Sequence, residues 1–257
     1  MNSDVFFTTG KTHMVCQDYA AVVGDGHIVL SDGCSSSPHT DFGARLLCRT
    51  AAQHGILAAC DAAAPLLSPL TLPEQSLDAT ILSAEHKEGI VQVQMIGDGV
   101  VVGRKRNGDC TVIVVEYPSG APRYLSYDLD PLRRTRYISE FGEVMRVTVD
   151  GVVTGYLLKD DPVVPFAIAF PTTEYDLILL FSDGVQSFHR PVPNSTCGAT
   201  APVPLAEVLA EMLAIKGFVG QFIVRRAKRF LKDTGAKGWV HDDDFSVAAL
   251  YIGEVQS

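Results

Sequence analysis

Two apolar runs in this chain end in the same three residues. "HIVL" (27–30) passes into Ser31-Asp32-Gly33, and about 150 residues later "LILLF" (177–181) passes into Ser182-Asp183-Gly184. An apolar run with no polar alternation reads as a strand covered on both faces. Asp-Gly is ordinary turn chemistry. Two buried strands that both stop at Ser-Asp-Gly could also set two carboxylates at one edge of one fold. The pair is therefore either two turns or part of a metal site.

The rest of the chain gives those strands company. Residues 19–32 read as a hairpin about Gly24-Asp25-Gly26. Asn107-Gly108 separates "VVVGRK" from "CTVIVVEY", and Asp150-Gly151 sits inside "VMRVTVDGVVTGYLL". "LDATILSAE" is a further strand. "IVQVQMIGDG" alternates, with Val91, Val93 and Met95 on one face and Gln92 and Gln94 on the other. Thr40 or Asp41 can cap a helix running to about Ala63. "APLLSPLTLPEQS", with three prolines, is expected to be a loop. Two helices are expected in "PLAEVLAEMLAI" and "FVGQFIVRRAKRFLKD". The second has a basic stripe, Arg225, Arg226, Lys228, Arg229 and Lys232, read as a solvated face. "HDDDFSVAALYI" closes the chain as an acidic turn and a strand. Hairpins make antiparallel sheets, so the expected class is α+β with two packed antiparallel sheets. With no repeat and no linker, residues 1–257 read as one domain.

Charge and cysteine usage narrow the function. A formal charge of -9 opposes general nucleic-acid binding. An anionic substrate would need local positive charge, from metal ions or a few Lys and Arg. The six cysteines, Cys16, Cys34, Cys48, Cys60, Cys110 and Cys197, contain no CxxC pair, so neither a zinc site nor a disulfide framework is expected. No apolar stretch approaches the ~18 residues of a membrane helix, and "MNSDVFFTTGKTH" has no signal-peptide pattern. The expected location is the cytoplasm.

Carboxylates recur where strands start or stop: Asp18, Asp32, Asp98, Asp183 and the run Asp242-Asp243-Asp244. Asp32, Asp98 and Asp183 are each followed by Gly, which allows positive φ or close approach of another group. Carboxylate and carbonyl oxygens suit hard cations such as Mg²⁺ or Mn²⁺. Other chemistries fail on spacing. "GKT" (10–12) has Val5 where a P-loop needs Gly. No cysteine is followed by five residues and an Arg; Cys34 has Thr40 at that offset. No G-x-S-x-G elbow, H-E-x-x-H or EF-hand loop occurs.

In order, "GKTHMVCQD", "VLSDGCSSS", "DATILSAE…VQMIGDG", "LILLFSDGV" and "DDDFSVAAL" resemble the protein phosphatase 2C family of metal-dependent Ser/Thr phosphatases, its bacterial branch in particular. The resemblance spans nearly the whole chain. It implies a four-layer sandwich: two antiparallel sheets flanked by helices, with two or three Mn²⁺ or Mg²⁺ ions at one end. It makes Asp32 the bridging ligand, with the Gly33 carbonyl beside it. Asp183 and Asp243 would complete one metal, and Asp98 with Asp183 an additional one. Asp18 stands where the family has an acid near the second metal. Asp32, Asp183 and Asp243 become the catalytic set. The implied reaction is hydrolysis of phosphoserine and phosphothreonine in proteins by a water bridging two ions, with a Ser/Thr kinase as a possible partner.

The sequence also departs from the pattern. His13, with Lys11 nearby, stands where the family often has an Arg for substrate phosphate. Cys34 replaces a frequent His, Asp98-Gly99-Val100 replaces Asp-Ser-Arg, and Asp244 replaces Asn. Two alternatives remain open: a phosphatase of small phosphate esters, and a non-catalytic relative that binds phosphoprotein or kinase.

Overall fold

The computed structural model describes residues 1–141, 144–157, 163–193 and 198–253; Cys197 lies outside them. Two antiparallel sheets dominate. The larger has seven strands in the order β1 (Asn2–Thr8), β15 (Phe245–Tyr251), β11 (Tyr175–Phe181), β6 (Gly99–Lys105), β7 (Cys110–Glu116), β8 (Val144–Val149) and β9 (Val152–Leu157). The second has five: β10 (Phe166–Pro171), β5 (Ile90–Ile96), β4 (Ile81–Lys87), β3 (His27–Ser31) and β2 (Tyr19–Val22). A small third sheet joins β13 (Thr200–Pro202), β12 (Phe188–Pro191) and β14 (Val240–His241).

The two large sheets pack face to face. Ile28, Leu30, Leu82 and Val93 of one meet Val101, Ile113, Ile178, Leu180 and Leu250 of the other in one buried core. The opposite faces are covered by helices. Leu177, Leu179, Phe181 and Phe245 pack against α4 (Leu205–Met212) and α5 (Phe222–Ala236). Val29, Ile81 and Ile96 pack against α1 (Thr40–His54) and α2 (Ala59–Leu67). The order is helix, sheet, sheet, helix. β11 is apolar at every position of "LILLF" because both of its faces are buried, alternate residues entering the helix layer and the inter-sheet core.

The expected hairpins about 24–26, 107–108 and 150–151 form. The expected helix to Ala63 instead breaks at Gly55, whose φ of 86° cannot continue a right-handed helix. Thr40 does not cap α1. Its hydroxyl donates to the Cys34 carbonyl and accepts from Gln17 Nε2, and His39 precedes the helix in a left-handed conformation. The proline-rich stretch is more ordered than a loop: α2 runs through Pro65 to Leu67, and 3-10 turns follow at Ser68–Leu70 and Glu74–Leu77. Among the described residues no helix is long and apolar enough to cross a membrane.

Candidate metal centre

Strand direction decides where the acids fall. β2 runs antiparallel to β3 with Tyr19 opposite Ser31, so Asp18 and Asp32 leave the second sheet at the same end. β5 is antiparallel to β4, which is antiparallel to β3, so Asp98 follows β5 at that end too. There the chain crosses into β6 of the larger sheet. Phe181 pairs with Val100 and with Val247, so Asp183 after β11 and Asp243 before β15 also meet that end. Five carboxylates thus converge from both sheets onto one rim of the sandwich.

A cavity of about 200 Å³ opens there, lined by Asp32, Asp98, Asp183 and Asp243 with Cys34, Thr80 and Tyr124 among its other walls. Asp18 lies behind it, fully buried, with neither carboxylate oxygen in a hydrogen bond of ordinary geometry. The Ser182 and Ser246 hydroxyls and the Asp32 carboxyl stand near enough to bias its charge. Among the described residues no Lys or Arg forms an ion pair with Asp18, Asp32, Asp98, Asp183 or Asp243. Burial, then the charges on Asp18 and Asp183, push the Asp32 carboxyl well above the usual carboxylate range. Burial is also the largest cause of the rise at Asp18. Burial, then Asp183, pushes Asp98 up to about 8. Asp243 is raised by burial and by Asp183.

The close-packed backbone explains the Ser-Asp-Gly endings. Neither Gly33 nor Gly184 uses a positive φ; both are required by close approach. A Cβ on Gly184 would stand 1.7 Å from the Asp244 carbonyl oxygen, and one on Gly33 would stand 2.7 Å from Thr40 Cβ. Of the three glycines that follow Asp32, Asp98 and Asp183, Gly99 alone has a positive φ, 139°. The serines are buried as well: Ser182 Oγ accepts from the Ser246 amide at 3.1 Å and ties β11 to β15 beside Asp183.

Asp244 is a brace. Its Oδ1 accepts from the Gly10 amide at 2.7 Å and its Oδ2 from the Gln17 amide at 2.6 Å, fixing the segment that leads to Asp18. His13 Nδ1 lies 3.1 Å from Asp244 Oδ2 and 3.6 Å from Asp243 Oδ1. Burial opposes its charge, but the contact with Asp244 and the nearby carboxylates outweigh burial and raise its pKa. His13 therefore faces the acids and does not line the cavity, and Lys11 lines a separate one beside Trp239 and His241.

Sequence reading missed Thr80, Asp78 and Tyr124. Thr80 Oγ1 accepts from the Asp32 amide at 3.1 Å, and the Thr80 amide donates to the Asp32 carbonyl at 2.8 Å. Asp78 accepts from the Ser37 and Ser126 hydroxyls and, on both carboxylate oxygens, from the single nitrogen Nη2 of Arg133, at 2.6–2.9 Å. It anchors the segment between β7 and β8, which includes α3 (Pro131–Phe141) and brings Tyr124 to the cavity wall. That segment carries no hydrophobic period that would announce its place. The Asp78 bonds all come from residues distant in sequence.

The acids suit a divalent cation by chemistry and position: hard oxygen donors, buried or half-buried, without a Lys or Arg partner among the described residues, and at Asp18 without hydrogen bonds. They share the cavity without a preformed coordination shell; among the described residues no three acidic, imidazole or thiol groups converge on one ion position. A pH dependence follows. In an unfolded chain an Asp carboxyl titrates at about 4; folded, Asp18, Asp32, Asp98 and Asp243 hold protons to higher pH. Metal-free protein should therefore lose stability as pH rises from about 4 to about 8. Melting temperature in EDTA should fall over that window, and Asp98→Asn should flatten the fall. A flat profile in the unsubstituted protein would contradict the assigned burial of charge.

No protein-family profile matches the chain, and no curated protein matches it. Solved structures do. The serine/threonine phosphatase Stp1 from Staphylococcus aureus is 13% identical, with a TM-score of 0.58 over 99% of this chain and 96% of that one. The Mycobacterium tuberculosis serine/threonine phosphatase PstP is 17% identical, with a TM-score of 0.55 over 98% of each chain. The PstP catalytic domain has also been solved in complex with two manganese ions. PppA, described as a key regulatory component of T6SS in Pseudomonas aeruginosa, is 14% identical, with a TM-score of 0.54 over 96% of this chain and 95% of that one. At these identities the likeness is one of architecture: the chain has the α+β fold of the bacterial serine/threonine phosphatases, as its resemblance to protein phosphatase 2C implies.

Proposed function

We propose that this protein is a divalent-metal-dependent phosphoprotein phosphatase acting on phosphoserine and phosphothreonine. The observation that carries the reading is the convergence of five buried or half-buried carboxylates from both sheets on one rim, with no Lys or Arg paired to them among the described residues. Asp32, Asp183, Asp243 and the Gly33 carbonyl are the proposed holders of two Mn²⁺ or Mg²⁺ ions, with Asp18 behind them and Asp98 serving a third. When bound, such ions supply Lewis-acid charge to phosphoryl oxygens and lower the pKa of water.

The chain's own residues do the positioning. Thr80 fixes the backbone of Asp32, and Ser182 and Ser246 fix the strand ends that carry Asp183 and Asp243. His13, held against Asp243 and Asp244, restrains the former without reaching the cavity. Because no Lys, Arg or His among the described residues lines that cavity, a phosphate dianion would meet repulsion from its carboxylates there without cations. The reading places the protein in the cytoplasm, with proteins phosphorylated by Ser/Thr kinases as substrates.

The test is phosphate release from a phosphothreonine peptide beside p-nitrophenyl phosphate and small phosphate esters, all with Mn²⁺. Faster turnover of the peptide than of small esters supports the reading. Turnover of small esters alone would replace it with a small-ester phosphatase, and no turnover of any substrate would replace it with a binding protein.

Cys34 separates this chemistry from a thiol mechanism. Its Sγ lies 3.1 Å from Ser36 Oγ in the cavity wall, with no Arg there to cradle a phosphate. Cys34→Ser should keep peptide turnover within roughly tenfold, about 1.4 kcal/mol in barrier. A trapped phosphocysteine would contradict this.

A further inference from the structure

On the outer face of the larger sheet, a second cavity of about 420 Å³ lies between the segment after α4 and the side of α5 from Phe222 to Asp233. It shares no lining residue with the acidic cavity. One side is apolar, with Ile215 and the buried Phe222. The other is cationic, with Lys216, Arg225, Arg226 and Arg229. Seven of the chain's 21 Lys and Arg fall between residues 216 and 237, with Asp233 the one acid among them. This concentration stands out in a protein of net charge -9.

Local carboxylates do not neutralise it. Arg229 Nε donates to Asp233 at 2.7 Å. Arg226 has a 3.5 Å ion pair with Glu211, which Lys237 also approaches at 3.1 Å. The Arg226 side chain is 13% exposed, and its Nε is buried without a hydrogen-bond partner. Arg225 donates to the Val219 carbonyl, and Lys216 has no ion pair among the described residues. Four cations against Asp233 and Glu211 leave two positive charges in excess. The α5 N-terminus is not the source of this charge, because its Ile223 and Val224 amides already donate to Asp4 Oδ2.

We propose that this cavity binds a small organic phosphate of the nucleoside diphosphate class. Arginine forks match phosphate oxygens, and two excess charges call for a ligand with at least two negative charges. The Ile215 and Phe222 side calls for a compact apolar body beside them. The volume lies within the range of about 300–1,000 Å³ that small-molecule sites occupy and exceeds what a lone phosphate fills. The proposal stands apart from the phosphatase reading and does not depend on it.

Calorimetric titration of the full chain with ADP, pyrophosphate and adenosine tests it, with EDTA present so that no cation links phosphates to the acidic cavity. ADP should saturate with a Kd below about 1 mM and weaken as salt is raised. Pyrophosphate and adenosine should each bind at least roughly tenfold more weakly. Arg226→Ala should weaken ADP about tenfold or more. Arg229→Ala and Lys216→Ala, at exposed positions that the fold does not need, should weaken it severalfold. Asp32→Ala should leave it unchanged. Failure of ADP to saturate, equal binding of pyrophosphate or adenosine, wild-type affinity in Arg229→Ala, or loss of binding in Asp32→Ala would each overturn the proposal.

Discussion

Asp32→Ala should lower turnover of a phosphothreonine peptide by about 10³-fold or more, roughly 4 kcal/mol in barrier, while raising the melting temperature of the metal-free protein. Both effects come from one side chain. Asp32 is half-buried between Asp18 and Asp183, where its charge is opposed by desolvation and by both neighbours. A group so unfavourable to hold in the folded state has a stability cost that its removal relieves. Its place at the rim where the two sheets meet makes it the donor that others cannot replace. Steady-state kinetics with Mn²⁺ and thermal melting in EDTA report the two effects separately. A variant that loses activity and also melts lower without metal would make Asp32 a structural residue.

Gly184→Ala should cost about 3 kcal/mol or more, because overpacking a closed backbone contact can only be relieved by moving it. The added Cβ would overlap the Asp244 carbonyl, and the Cα of Phe245, the first residue of β15, would lie 3.4 Å away. The displaced segment carries Asp243, and the residue itself follows Asp183, so activity should fall together with stability. The control is Gly235→Ala, inside α5, where nothing lies within 4 Å of the new Cβ; there the helix should be neutral or stabilised by up to ~1 kcal/mol. Thermal melts of the two variants side by side decide the matter. If Gly184→Ala melts like the parent, the tight crossing of β15 and the 3-10 turn Asp183–Gln186 is wrong.

Much of this was legible in the residues. "LILLF" announced a strand covered on both faces, and the structure puts its alternate residues into two different cores. Turn pairs such as Asn107-Gly108 set strand order locally, so the antiparallel class followed. The acids at strand ends could be named, because a carboxylate that interrupts an apolar run is unusual. Their meeting at one rim needed the strand directions, which come from long-range pairing between β11, β6 and β15. The Gly after each of these acids allowed either positive φ or close approach; at Gly33 and Gly184 it is close approach and at Gly99 a positive φ, a choice that no local pattern makes. Gly55 breaks a helix whose apolar pattern continues on both sides. Asp78, Thr80 and Tyr124 carried no signal, since each acts through partners far along the chain. The basic stripe read as a solvated helix face is that in part, but Arg226 turns inward and helps to wall a cavity.

The central claim is that the acidic rim works by holding divalent cations. Protein stripped with EDTA and dialysed should release no phosphate from a phosphothreonine peptide, and stepwise addition of Mn²⁺ should restore turnover along a saturable curve that Asp32→Ala abolishes. Full turnover by the stripped protein, with no response to Mn²⁺ or Mg²⁺, would contradict the account.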